Sequence, residues 1–572
     1  RAPWLKPFSL KCAGRPPSIQ NSRRCRPHGA RRRMAAGAAG SPAPAWFGCV
    51  DLKYAEGGSV RILELGDGHT SGFTGAGAFI PHAFAKLGCP RRALGPFMDT
   101  VLENKILTHD AIADVSLSNL RPQVGVFLRR HDPELAASIL DAVGRGGVVL
   151  KLADRQRGCG VVAVEPADLE ETLRVLLVCP EYAEPLPIPH SANGQITAGW
   201  ATVAHKAAGL GGLEEAAAHW HANECPSFLA EALCKSKLTE GPGGELYDGT
   251  LRIGFALEEE RIQFLGAYWK LPDTPVDRTQ DALSARVVSH THGGSGTAAC
   301  SKADEAAVWA VLEEPLLKIF SAGARKFTVP GLMNRYRDSP LFAATALTRV
   351  AAGLIEEDMA KAERTLLLAE QLAGGGERPL SDYVCSYVRR TQGTLSARRA
   401  GGAPDWRAAA TFYDEAVQLM PRNAAALYFA GMVRLTRGSY SMAGHYFARS
   451  VAADGDYACA YNQLATCCLL LGDFGSCVEV AEALLQRHNR IAAAHHHIAV
   501  ALYGREASSN ERGGGCDAER RGRAAAALRR ARELQRGKSW GQNEDDMLEA
   551  LQGDAPLPKK PARTWLFHAW RL

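Results

Sequence analysis

The sequence lacks the long apolar runs that cross membranes. No stretch approaches the ~18 uninterrupted apolar residues such a helix needs, which excludes a helical membrane-spanning protein. Acid is missing where base is dense: none of the first 50 residues is Asp or Glu, while ten are Lys or Arg. No Cys-x-x-Cys occurs among the 15 cysteines, and the one adjacent pair, Cys467-Cys468, sits inside a helical pattern. An odd count without framework spacing argues against a disulfide scaffold, so the thiols are expected to be reduced, intracellular and mostly small core residues. A structural zinc site is not expected. His219-Trp220-His221 with Cys225 is a weak metal pattern, and His495-His496-His497 point three ways around a helix.

What is present is ordinary in amount and uneven in placement. The 572 residues suffice for two to four domains, and 46% hydrophobic with 22% charged residues is a globular balance. The net charge is +6, but without the ten basic residues of the first 50 it becomes −4, so no nucleic-acid footprint is expected on the body. The basic segment 1–45 reads as a disordered extension. It has the Arg-rich, acid-free character of a transit peptide, or it precedes a start at Met34. The expected compartment is accordingly organellar or cytoplasmic.

A shift of 34 residues superposes the C-terminal third on itself. Leu427, Tyr461 and His495 fall in one column, as do Gly431, Ala465 and Ala499, then Leu435, Leu469 and Tyr503. Tyr413, Phe447 and Ala481 align in the second half of the unit, with Val417, Val451 and Leu485. Small residues recur where helices approach closely and large ones where they interlock. Helices are predicted over 381–399, 406–420, 424–436, 440–453, 457–471, 474–487, 491–504 and 517–536. Arg437-Gly438-Ser439 and Leu471-Gly472-Asp473 supply turns. This pattern resembles the tetratricopeptide repeat, with about three units in 381–537 after a helical connector 331–380 and before a tail 538–572. The resemblance implies an all-α solenoid whose concave face receives a protein or peptide. The other reading is that the units only pack onto the preceding domain.

Residues 46–330 alternate strand-like and helical runs. Val60–Leu65 reads as a strand entering the glycine-rich Gly66–Gly75, followed by a helix near Ala78–Leu87. That loop matches neither Gly-x-Gly-x-x-Gly nor the P-loop spacing. Further on, the strand Gly147–Leu152 carries Lys151 and leads into Asp154-Arg155-Gln156-Arg157-Gly158-Cys159-Gly160, then a returning strand. A strand lysine beside a basic glycine loop can close over a triphosphate, because glycine lets backbone N–H groups approach phosphate oxygens. Trp200, His205 and Trp220 are assigned to packing.

The order of these features resembles the ATP-grasp superfamily, an α/β (α+β) nucleotide-binding fold. Asn104-Lys105 stands where members carry a first lysine, and Lys151 follows 46 residues later before the glycine loop. The strand Pro226–Glu231 resembles the hinge strand, with Glu231 at the adenine or ribose. The resemblance implies ATP held by Lys105, Lys151, Arg157, Gly158, Gly160 and Glu231, Mg²⁺ at Asp248, and Arg252 and Lys270 at phosphate or an acidic substrate. The chain departs from the pattern at the metal: Ser289–Gly294 stands near the expected asparagine loop, and no Glu-x-Asn follows. Mg²⁺ prefers more than one hard oxygen ligand, so the site is incomplete in sequence. Two functions stay open. One is an ATP-dependent carboxylate–amine ligase acting through an acyl phosphate, with repeats recruiting a protein. The alternative is a repeat-based interaction scaffold with an inactive nucleotide-binding domain.

Overall fold

Alternation sets the first strand. In β1 (Trp46–Tyr54), Val50, Leu52 and Tyr54 enter the core while Asp51 and Lys53 turn to the other face. The computed structural model describes residues 46–67, 96–155, 158–179, 193–258, 261–276, 283, 296–320, 328–398, 404–511, 517–535 and 542–552. The expected helix near Ala78, residue Arg157 and the loop Ser289–Gly294 lie outside them.

Two antiparallel sheets form a mixed α/β region. β1 pairs with β2 (Val60–Asp67) on one side and with β9 (Thr250–Glu258) on the other. β10 (Arg261–Lys270) and β11 (Thr297–Ala299) complete the order β11-β10-β9-β1-β2. The second sheet has the order β3-β6-β4-β5, from β3 (Val124–Leu128), β4 (Val148–Leu152), β5 (Val162–Val164) and β6 (Ser227–Ala232). A short pair, β7 (Thr239–Glu240) and β8 (Leu246–Tyr247), stands apart.

Helices cover one face of each sheet. α1 (Pro96–Glu103) and α2 (Lys105–Asp114) bury Val101, Ile106, Leu107 and Ile112 against the first sheet's core. Asn104 starts α2 by accepting the Ile106 and Leu107 amides on Oδ1, at 3.0 and 3.2 Å. α3 (Leu135–Val143), α4 (Leu169–Leu177) and, after α5 (Asn193–Ala208), α6 (Gly212–His221) pack on Val148, Leu150, Phe228 and Ala230 of the second sheet. α7 (Lys302–Lys318) closes the first core, followed by α8 (Val329–Arg335), α9 (Pro340–Leu354) and α10 (Met359–Ala373). Leu347, Val350 and Leu366 share that core with β1 and β9, so the segment 331–380 is built into it.

Stacked helix pairs follow: α11 (Leu380–Ala397) with α12 (Trp406–Leu419), α13 (Ala424–Thr436) with α14 (Tyr440–Ala453), and α15 (Ala458–Leu471) with α16 (Phe474–Arg487). α17 (Ala492–Glu511), α18 (Ala518–Gln535) and α19 (Gln542–Gln552) end the stack. The interlock is physical at Gly431, where a Cβ would lie 2.7 Å from the Phe447 ring. Gly438 and Gly472 turn between helices with φ of +77° and +81°. A Cβ at Gly438 would meet nothing within 4 Å, so a side chain there costs backbone strain without crowding.

α5 leaves the α/β region and lies across α14 and α16, the second helices of two successive pairs. Trp200, 4% exposed, fills the groove over Gly444, where a Cβ would come within 2.3 Å of the indole. The last turn of α5 is closed by the stack: Tyr461 donates to the Ala204 carbonyl at 3.3 Å and Arg487 to the Ala208 and Leu210 carbonyls. The buried side of α5 thereby joins the repeats to the α/β region, while Ala198, Thr202, His205 and Lys206 face outward.

Candidate functional site

The polar faces of the two sheets carry the residues singled out by the sequence. Cross-strand register sets Arg252 of β9 opposite Asp51 of β1. Arg252 donates to both oxygens of Asp51 at 2.6 and 2.7 Å, and Lys270 donates to Oδ2 at 2.9 Å. Burial would raise the Asp51 carboxyl, but Arg252 and Lys270 hold it far below the usual range. Burial also pulls the Lys270 ammonium below its ordinary value, against Asp51. Two residues on, Lys53 donates to Asp248 Oδ1 at 2.7 Å and to the carbonyls of Asp248 and Gly249. The same carboxylate oxygen accepts the Ser236 amide at 2.8 Å.

The second sheet offers the other half. Lys151 on β4 donates to Glu231 Oε2 on β6 at 2.6 Å, and Arg121 donates to Glu231 Oε1 at 2.8 Å. Arg121 is fixed in turn by the Ile62 and Leu63 carbonyls of β2. Burial would raise the Glu231 carboxyl; Lys151, Arg121 and Lys105 hold it below the ordinary value. Lys105 begins α2, donates to the Arg155 carbonyl, and lies 3.6 Å from Glu64 of β2. Lys105, Lys151 and Glu231 therefore come together, as do Arg252 and Lys270, while Asp248 joins Lys53. Gly158 and Gly160 have positive φ, 75° and 70°. Their loop is pinned: Trp220 donates to the Gly160 carbonyl at 2.7 Å, and Asn223 to Asp154 at 2.6 Å.

A magnesium site does not fit these side chains as they stand. Both Glu231 oxygens and Asp248 Oδ1 already take cations or an amide, and Asp51 is shared by two cations. Arg121, Asp51, Lys53 and Glu64 were not anticipated. Asp51 and Lys53 had a signal, their i, i+2 placement opposite Val50 and Leu52; Arg121 had none.

A second polar cluster lies where the α/β region meets the stack. The loop after α14 supplies Asp454 and Asp456, both buried or nearly so. Arg155 reaches Asp454 Oδ2 at 2.8 Å, and Arg487 bridges Glu215 and Asp456 at 3.0 Å each. His219 of α6 sits between the acids, Nδ1 3.3 Å from Asp454 Oδ1 and Nε2 3.0 Å from Asp456 Oδ2. Cys159 Sγ stands 3.8 Å from the same Asp456 oxygen. Burial opposes charge on His219, yet the two aspartates raise it to about 9; burial and Asp456 push Cys159 to about 12. His221 and Cys225 go elsewhere: His221 Nδ1 faces Arg422 at 3.4 Å, and Arg129 covers Cys225 through its carbonyl at 2.7 Å. The repeat register held a clue, since Asp456 occupies the column of Arg422 and Arg490.

No family model and no curated protein matches the chain. Among the solved structures that match, a MamA RS-1 ArsTM double mutant aligns with 35% of this chain and 97% of its own length, at 18% identity and a TM-score of 0.26. A likeness of that size establishes nothing about function. Among the described residues, no helix is long and apolar enough to cross a membrane.

Proposed function

We propose that the chain is a repeat-based protein-interaction scaffold whose α/β region serves as a platform without turnover. The observation that carries this reading is the ion pairing on the polar faces of the two sheets. Lys151, Arg252, Lys270, Asp248 and Glu231 each spend their charge on an internal partner. A site awaiting a triphosphate and metal gains from cations and carboxylates held apart for the ligand; here breaking buried pairs would oppose binding. The helix pairs supply the binding element. Their second helices, α14 and α16, hold α5 in cis, and their first helices α13, α15 and α17 pack side by side. Those first helices leave Tyr428, Met432, Leu470 and Val500 partly exposed at the edge of the core, apolar contacts suited to a peptide or helix of a partner. Peptides selected from a displayed library on the full chain should lose binding with Tyr428→Ala or Met432→Ala and keep it with Lys151→Met. Selected peptides indifferent to both repeat substitutions would remove this assignment.

A second reading draws on the convergence of Lys105, Lys151 and Glu231. It supports an ATP-grasp-like nucleotide site, with ATP competing for the two lysines against Glu231, Glu64 and the Arg155 carbonyl. A ligase of the carboxylate–amine type would also need an Mg²⁺ site, and the carboxylates in place are committed to cations.

A further inference from the structure

We propose that Cys159 Sγ, His219 Nε2 and Asp456 Oδ2 form a zinc site that staples the glycine-bearing loop of the α/β region to the repeat stack. The three donors come from three elements, the loop after β4, helix α6 and the loop after α14, and their ligand atoms all lie within 4.8 Å of one another. Tetrahedral zinc with bonds of ~2.0–2.3 Å sets ligand atoms about 3.3–3.6 Å apart. Two of the three separations are 3.0 Å for His219 Nε2 to Asp456 Oδ2 and 3.8 Å for Cys159 Sγ to the same oxygen, and the third, Cys159 Sγ to the His219 nitrogen, falls within 4.8 Å. Sulfur, imidazole and carboxylate are a donor set for zinc and unsuited to Mg²⁺ or Ca²⁺.

Three further features point to a cation. His219 is 1% exposed, and although carboxylates stand close to both ring nitrogens, neither makes a well-aligned hydrogen bond. Its Nδ1 faces Asp454, whose other oxygen is held by Arg155, so Asp454 takes the place of the outer carboxylate that fixes a metal-bound imidazole. Glu215, Asp454 and Asp456 meet two guanidinium groups, Arg155 and Arg487, with the His488 ring 3.9 Å from Asp456, so the permanent charges named here differ by one unit. Zinc with a Cys159 thiolate and a neutral His219 supplies that unit, and so does a lone proton on His219. The thiol distinguishes the two, because zinc would take Cys159 as a ligand while a proton on His219 leaves the thiol uninvolved. Three protein ligands leave a fourth position to water.

Tag-free full-length protein, purified without chelator, should carry one equivalent of zinc by elemental mass spectrometry. Cobalt added after zinc removal should give visible d–d bands and a thiolate-to-cobalt charge-transfer band. Cys159→Ser should abolish the charge-transfer band, and Asp454→Asn should weaken zinc binding by about 10–100-fold. The unsubstituted protein's cobalt spectrum keeps the test open even where a variant fails to fold. Absence of zinc together with a cobalt spectrum lacking the thiolate band would overturn the proposal and leave His219 as a protonated latch. Zinc binding of equal strength in Cys159→Ser and Asp456→Asn would overturn it as well.

Discussion

Removing the Trp200 indole tests the joint between the two parts of the molecule. The side chain is 4% exposed, sits over Gly444, and packs with Ala443, Phe447 and Val480 of α14 and α16. Trp→Ala in a packed site costs about 3–5 kcal/mol, from lost transfer energy and the cavity left behind. Helix α5 is mostly alanine on its buried side (Ala201, Ala204, Ala207, Ala208), so no other large side chain compensates. At about 1.4 kcal/mol per decade, Trp200→Ala should raise amide exchange across 197–208 by about two to three and a half decades, if exchange proceeds through local detachment. The assay is hydrogen–deuterium exchange of the full chain read by mass spectrometry, with α13 as internal control. Unchanged protection of α5 in Trp200→Ala would show that the groove contact contributes little to holding the helix.

Other outcomes follow from named contacts. Gly438→Val should cost about 1–2 kcal/mol through left-handed strain, measured as a lowered denaturant midpoint; equal stability would show that the turn does not need φ of +77°. Lys151→Met should destabilise by about 3 kcal/mol, the lower end for a broken buried pair because Arg121 still faces Glu231. Glu231 has a folded pKa below its unfolded value near ~4.3, so its stabilisation is present above that pH and is lost as pH falls through the folded value. Stability should therefore hold from neutral pH to about 5 and decline below about 4, and Glu231→Gln should shrink that acid loss; an undiminished loss would assign it to other carboxylates.

The repeats were legible because their signal is local. The expected helices 424–436, 440–453 and 474–487 coincide with α13, α14 and α16, since apolar spacing and the glycine turns decide them. α17 runs on to Glu511, beyond the expected 504, and there a tertiary contact decides. Glu506 is fully buried and pairs with Arg520 of α18 at 2.9 Å, a contact that apolar periodicity does not reveal. Trp200 was readable as a packing residue, but the groove over Gly444, 244 positions along the chain, was not. Lys105 and Lys151 were singled out through their spacing. Glu231 was named with them, but Arg121 and Glu64, which share their charges, were not, because an ion pair between distant segments has no period.

Titrating MgATP into the full-length protein by calorimetry asks whether the charges on the two sheets are satisfied within the chain. No saturable heat is expected up to about 1 mM nucleotide, a scale of affinity worth about 4 kcal/mol. Saturable binding tighter than that, lost in Lys151→Met protein that remains folded, would contradict that expectation and make the nucleotide-binding reading the better one.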